Sequence, residues 1–229
     1  PPGAGKTSAV PLTLMDEPWL SHRRMLMLSP RRLAARTAAR RLAWLLGERV
    51  GQTVGYRVRL ESRVGPHTRI EVITEGVLTR MLQHDPALNG VGLVIFDEFH
   101  ERSLDADLGL ALCRDIQGVL NESLRLLVMS ATLDPSPVAD LLGGAPLLTC
   151  DGRLFPVETR YTDGAANRPV GRRVADVIRR SAARREGSVL AFLPGAREIR
   201  RVAKLLAAAN LPGEWTLTPL YGGLPRDRQ

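Results

Sequence analysis

The segment Gly3-Ala4-Gly5-Lys6-Thr7-Ser8 opens the chain, and far downstream an apolar run, Leu93-Val94-Ile95-Phe96, ends in the adjacent carboxylates Asp97 and Glu98. Few architectures accommodate both. Glycines let a backbone curl so that successive N–H groups converge on one point, with the N-terminus of the next helix behind them. A buried strand ending in two acidic residues carries negative charge to the rim of a sheet. An α/β fold with a mostly parallel sheet is the expectation.

The chemistry follows from residue type. Gly3, Ala4 and Gly5 supply the curl, Lys6 reaches the β- and γ-phosphates of a nucleoside triphosphate, and Ser8 opens the helix behind them. The Thr7 hydroxyl ligates Mg²⁺. Asp97 holds the same ion, usually through water, and Glu98 orients and deprotonates an attacking water. Taken singly, Gly-Lys-Thr could be an ordinary turn and Asp-Glu an ordinary strand end. The order of the two motifs and their strand contexts favour a shared site.

Apolar runs alternate with helical patterns, which points to parallel strands joined by crossover helices. Strands are expected at Met25–Ser29, Thr53–Leu60, Ile70–Thr74, Leu93–Phe96, Leu126–Ser130 and Leu147–Thr149. Helices are expected at Arg32–Leu46, Gly76–Gln83, Asp105–Leu120 and Pro137–Leu142. After a Gly- and Pro-containing loop the pattern restarts, with strands at Val157–Tyr161, Ser188–Phe192 and Thr216–Tyr221 and helices at Val170–Arg185 and Ala196–Asn210. We read the chain as a fragment that enters its first loop without the strand leading into it and stops partway through a second α/β block.

Charge raises the question of a partner. Lys and Arg number 32 against 24 Asp and Glu, a net charge of +8, and nearly all the cations are Arg. Forked guanidinium donors suit phosphate, so an anionic polymer fits, although an Arg- and Ala-rich chain also arises from base composition alone. No apolar run approaches the roughly 18 residues needed to span a bilayer. Cys113 and Cys150 lack metal-ligand spacing and read as reduced thiols of a cytoplasmic protein.

The acidic motif continues Phe99-His100-Glu101-Arg102, and with these residues the chain resembles a superfamily 2 helicase of the DEAH-box class. More specifically it resembles the bacterial HrpB-type ATP-dependent helicases, which carry Phe where most DEAH proteins have Ala. Leu28-Ser29-Pro30-Arg31-Arg32 resembles motif Ia, Thr74-Glu75-Gly76 motif Ib, and Ser130-Ala131-Thr132 motif III. Phe192-Leu193-Pro194-Gly195 resembles motif IV, and Leu220-Tyr221-Gly222-Gly223 the stretch after it.

The resemblance implies a RecA-like P-loop NTPase domain over residues 1–152, with helices on both faces of its sheet. It also implies a truncated second RecA-like domain over 153–229. ATP and Mg²⁺ are the implied cofactors and single-stranded nucleic acid, RNA in preference to DNA, the implied partner. His100 would couple the nucleotide to motif III, through which Ser130, Ala131 and Thr132 report its state. Arg41 would stack on the adenine, the alternative being one more solvated arginine on its helix. Arg31, Thr74, Arg59 and Gly195 would line the RNA path, although Arg57 and Arg59 also read as a solvated strand face. Motifs V and VI are not found before Gln229. Motif VI supplies arginine fingers worth about 10³–10⁵ in rate, so this stretch alone is expected to be a weak ATPase, with accessory domains beyond it. A DNA-directed or remodelling translocase, a non-catalytic RNA-binding scaffold with a vestigial motor, and a simple P-loop kinase or GTPase are the competing readings.

Overall fold

The computed structural model describes residues 5–21, 23–131, 134–150, 156–162, 168–183, 187–209 and 214–225. The chain divides into two compact units, Pro1–Phe155 and Pro156–Gln229. The expected division after Gly152 lies outside the described residues.

The first unit is built on strands β1 (Arg24–Ser29), β2 (Val54–Val58), β3 (Glu61–Arg63), β4 (Ile70–Thr74), β5 (Val91–Phe96) and β6 (Arg125–Val128). They form one sheet in the order β3-β2-β4-β1-β5-β6, parallel throughout except for the antiparallel β2–β3 pair. Its helices are α1 (Lys6–Leu14), α2 (Arg32–Leu45), α3 (Glu75–His84), α4 (Leu104–Val119) and α5 (Ser136–Leu141).

Side chains alternate across the sheet, and the alternation sorts the core into two layers. Met25, Met27, Ile70, Val72, Leu93 and Ile95 face one way and pack with Ala35, Ala39 and Leu42 of α2. Leu26, Leu28, Ile73, Val94 and Phe96 face the other way and pack with Leu78 of α3 and Leu110 and Cys113 of α4. Both faces are therefore covered, and that is why β1 and β5 read as unbroken apolar runs. Helix α2 turns Ala35, Ala38, Ala39, Leu42 and Ala43 inward, a three- and four-residue spacing, while most of its arginines face solvent. Helix α4 starts where the Ser103 hydroxyl accepts the Ala106 amide at 3.0 Å, with Asp105 and Asp107 favourably placed in its first turn.

One acidic side chain lies within the second layer. Glu71, only 1% exposed, accepts Arg57 Nε at 2.5 Å and Arg24 Nη1 at 3.5 Å. Two cations compensate a carboxylate that burial alone would penalise. Arg57 is thereby committed to the sheet.

Several strand expectations fail, for one shared reason: a strand exists only through a partner. The run Thr53–Leu60 is interrupted by a turn. It pairs from Val54 to Val58, turns at Arg59 and Leu60, and returns as β3. Leu60 is 94% exposed with φ 65°, so an apolar side chain occupies the turn tip. Leu147–Thr149 is irregular and exposed. In the second unit, Val157–Tyr161, Ser188–Phe192 and Thr216–Tyr221 are irregular, and among the described residues none has a ladder partner. That unit contributes helices α6 (Val170–Ala182) and α7 (Ala196–Ala207), joined through Ala175, Val202 and Leu206.

Candidate nucleotide site and its adjoining turn

Parallel strands place all their carboxyl ends on one rim, where ligands of open α/β sheets bind. Ser29 and Thr74 are register partners there, and Asp97 continues the ladder by donating its amide to the Leu28 carbonyl at 3.2 Å. Gly5 enters the rim with φ 78° and ψ 10°, a left-handed conformation that costs a glycine little. Its carbonyl accepts the Ser8 and Ala9 amides at 3.1 and 2.6 Å, which starts α1 at Lys6. No side chain caps this helix. The positive end of the helix dipole lies here and favours an anion. Gly3 and Ala4 lie outside the described residues.

The two distant motifs meet here. Thr7 Oγ1 donates to Asp97 Oδ2 at 2.8 Å. Asp97 is 7% exposed, and its other oxygen, Oδ1, is buried with no hydrogen-bond partner among the described residues. Burial raises the carboxyl's pKa above its ordinary value, and the neighbouring Glu98 charge pushes the same way. The Thr7 hydrogen bond, the Glu98 backbone amide and the Lys6 charge pull it back. An orphaned buried carboxylate oxygen beside a hydroxyl is a site short of positive charge. A small hard cation that takes oxygen ligands suits it.

Glu98 follows in a left-handed conformation, φ 53° and ψ 36°, which for a non-glycine residue stores about 1–3 kcal/mol. The chain must turn sharply here because Phe99 re-enters the core. The Phe99 amide donates to the Met129 carbonyl at 3.1 Å, and its ring meets Phe96 edge-to-face at 6.2 Å. Phe99 and His100 thus lie in one tight turn, Phe99–Glu101, stitched to the exit of β6.

His100 Nδ1 lies 3.4 Å from Glu98 Oε2 and 3.4 Å from the Ala131 amide nitrogen. One ring nitrogen cannot both accept an N–H and donate to a carboxylate. Nδ1 can therefore accept the Ala131 amide or, when it carries a proton, donate to Glu98, but it cannot do both at once. His100 thereby touches both the acidic motif and the segment after β6, where Ser130 also sits. Thr132 lies outside the described residues.

The remaining expected residues scatter. Arg31 precedes α2 on the rim and is well exposed, but its Nη2 is 3.0 Å from Glu101 Oε2. Thr74 is the N-cap of α3 and makes no capping bond with its side chain. Arg59 is exposed in the β2–β3 turn. Arg41 stacks its guanidinium 4.4 Å over the ring of Trp44, one turn along α2. Gly195 is the N-cap of α7 in the second unit, with extended backbone. Reading the sequence missed Glu75 and Ser103, which bond at 2.7 Å between Ser103 Oγ and Glu75 Oε2. It also missed Glu101 as a partner of Arg31. No linear spacing signals such pairs, because only the sheet order brings them together.

A DEAD/DEAH box helicase domain matches residues 1–141, the stretch that carries both motifs and the rim. The chain belongs to this helicase family. Over 229 residues this family member is 51% identical to the ATP-dependent RNA helicase HrpB of Escherichia coli, covering 100% of the chain and 28% of that protein. It is 32% identical to the ATP-dependent RNA helicase HrpA of Borreliella burgdorferi, covering 100% of the chain and 28% of that relative. It is also 32% identical to the human probable ATP-dependent RNA helicase DHX35, covering 99% of the chain and 35% of that protein. A crystal structure of the Escherichia coli DEAH/RHA helicase HrpB superposes with a TM-score of 0.90 at 51% identity, over 99% of this chain and 29% of that one. The family assignment agrees with the RecA-like character of the six-stranded sheet. Among the described residues no helix of this helicase chain is long and apolar enough to cross a membrane.

Proposed function

We propose that the protein carrying this chain is an ATP-dependent RNA helicase, with residues 1–152 forming its first RecA-like domain and 153–229 belonging to the second. The observation that carries the reading is the 2.8 Å contact between Thr7 and Asp97, with Asp97 Oδ1 beside it lacking a hydrogen-bond partner among the described residues. The first-turn amides of α1 and Lys6 bind the phosphates. Thr7 and Asp97 hold Mg²⁺, which when bound neutralises charge on the β- and γ-phosphates. Glu98 orients a water and takes its proton, at a strained turn that fixes its direction.

On the same rim, α2 and α3 begin side by side without side-chain caps, at Arg31 and Thr74. Two adjacent helix N-termini with an exposed arginine suit consecutive backbone phosphates. Contacts of that kind ignore sequence, as a translocating motor requires. Arg59 belongs to the same path in this reading, and Arg41, backed by Trp44, offers a flat face to the adenine of ATP. His100, Ser130, Ala131 and Thr132 link the two sides. A cytoplasmic location, and RNA in preference to DNA, belong to the proposal as well.

The test is ATP turnover by the full-length protein with and without single-stranded RNA, beside strand separation on RNA and DNA loading strands. RNA should raise turnover, and Lys6→Ala should abolish it in both conditions. Activity on DNA alone would overturn the RNA assignment.

A further inference from the structure

The turn Phe99–Glu101 is held at both ends, but by tethers of different kinds. Its start is locked inside: Phe99 is buried, its amide bonded to Met129 and its ring against Phe96. Beyond its end, Ser103 Oγ donates to Glu75, and Arg102 Nη2 meets Asp107 at 2.8 Å. Glu101, within the turn itself, is tied to a residue that an outside anion can reach. Its partner, the Arg31 side chain, is 74% exposed, on the rim beside Thr74.

From this we infer that Glu101 is a positioning residue that competes with the nucleic-acid backbone for Arg31, so that strand binding releases the turn that carries His100 and follows Glu98. The inference rests on the reading that Arg31 contacts backbone phosphates. A carboxylate and a phosphate oxygen ask for the same guanidinium donors, so Arg31 cannot serve both fully. Exchange also requires the internal pair to be weak. An exposed ion pair shifts an equilibrium by a factor of roughly two to five, which a polyanion overcomes and which re-forms when the strand leaves.

The turn has a reason to respond. Left-handed non-glycine residues flank it, Glu98 at φ 53° and Arg102 at φ 43°, so it is held by its contacts against local backbone preference. Removing one tether alters the balance next to His100, whose Nδ1 lies 3.4 Å from both Glu98 Oε2 and the Ala131 amide. Coupling between binding sites is reciprocal, so the state of the nucleotide must in turn affect the strength of strand binding.

The experiment uses the full-length protein and a fluorescent single-stranded RNA homopolymer, with binding and ATP turnover measured for Glu101→Gln, Arg31→Gln and the double variant. Glu101→Gln should bind the RNA roughly two- to five-fold more tightly, the value of the lost internal pair. Its stimulation of kcat by RNA should shrink by a similar factor because the unstimulated rate rises, while KM for ATP stays put. In the Arg31→Gln background the same substitution should leave RNA affinity unmoved, since the competitor then has nothing to compete for. RNA affinity and stimulation both unchanged in Glu101→Gln, or an equal effect with Arg31 absent, overturns the inference alone. Failure of the unmodified protein to bind RNA overturns the functional reading, and this inference with it.

Discussion

Thr7 and Asp97 lie ninety positions apart in the chain, yet the threonine hydroxyl donates to the aspartate at 2.8 Å. The contact joins the first turn of α1 to the end of β5, and it leaves the second carboxylate oxygen buried without a hydrogen-bond partner among the described residues. A chain selected for stability alone gains nothing from that oxygen. A bound cation would offset its cost.

That cost can be measured. Asp97 has its pKa raised by burial first and by the Glu98 charge as well, so ionisation opposes folding. The sign follows from linkage: a carboxyl titrating higher in the folded state than in the unfolded one destabilises the fold increasingly as pH climbs from the ordinary value of 3.8 through the raised one. Asp97→Asn should therefore melt at a higher temperature than the unmodified protein at neutral pH without nucleotide. The gap should close as pH falls toward 3.8, and magnesium-ATP should stabilise the unmodified protein alone.

Glu98 is held by a strained turn near His100 and is only partly exposed, as a base that must reach water should be. Glu98→Gln keeps the shape and removes the proton acceptor. Equilibrium binding of ATP should survive, while single-turnover hydrolysis falls about 10²–10⁴-fold. Unaltered hydrolysis would take the base role away from Glu98.

Phe99 occupies the core rather than the site. Truncation to alanine removes a buried ring that touches Phe96 and lets the turn loosen, so urea unfolding should show a loss of about 3–5 kcal/mol. A change within about 0.5 kcal/mol, the range typical of surface positions, would show that the ring does not anchor the turn.

The first unit was legible in the sequence to a large degree, because a two-faced parallel sheet writes itself into the chain. The run at Ile70–Thr74 matches β4 at both ends, and Arg32 starts α2 as its apolar spacing requires. Thr7 and Asp97 stand out by residue type, and the sheet brings the two side chains into contact. What escaped notice depended on pairing. Leu60 continues the alternating run of β2, and only the return of β3 makes it a turn. Val157–Tyr161 and Ser188–Phe192 have the composition of strands without a ladder partner among the described residues. Arg57 reads as part of a solvated strand face until β4 presents Glu71 beside it. The pair of Arg31 and Glu101 depends on β1 and β5 being neighbours, a fact of sheet order rather than of spacing.

Calorimetric titration of ATP into the full-length protein, with magnesium or with a chelator, compared between unmodified and Thr7→Ala forms, tests the shared cation site most directly. The unmodified protein should bind far more tightly with magnesium. Thr7→Ala should lose about 10- to 100-fold of that affinity, the scale of one bond to a charged group, and become nearly indifferent to the metal. Equal, magnesium-dependent binding by both forms would contradict the account.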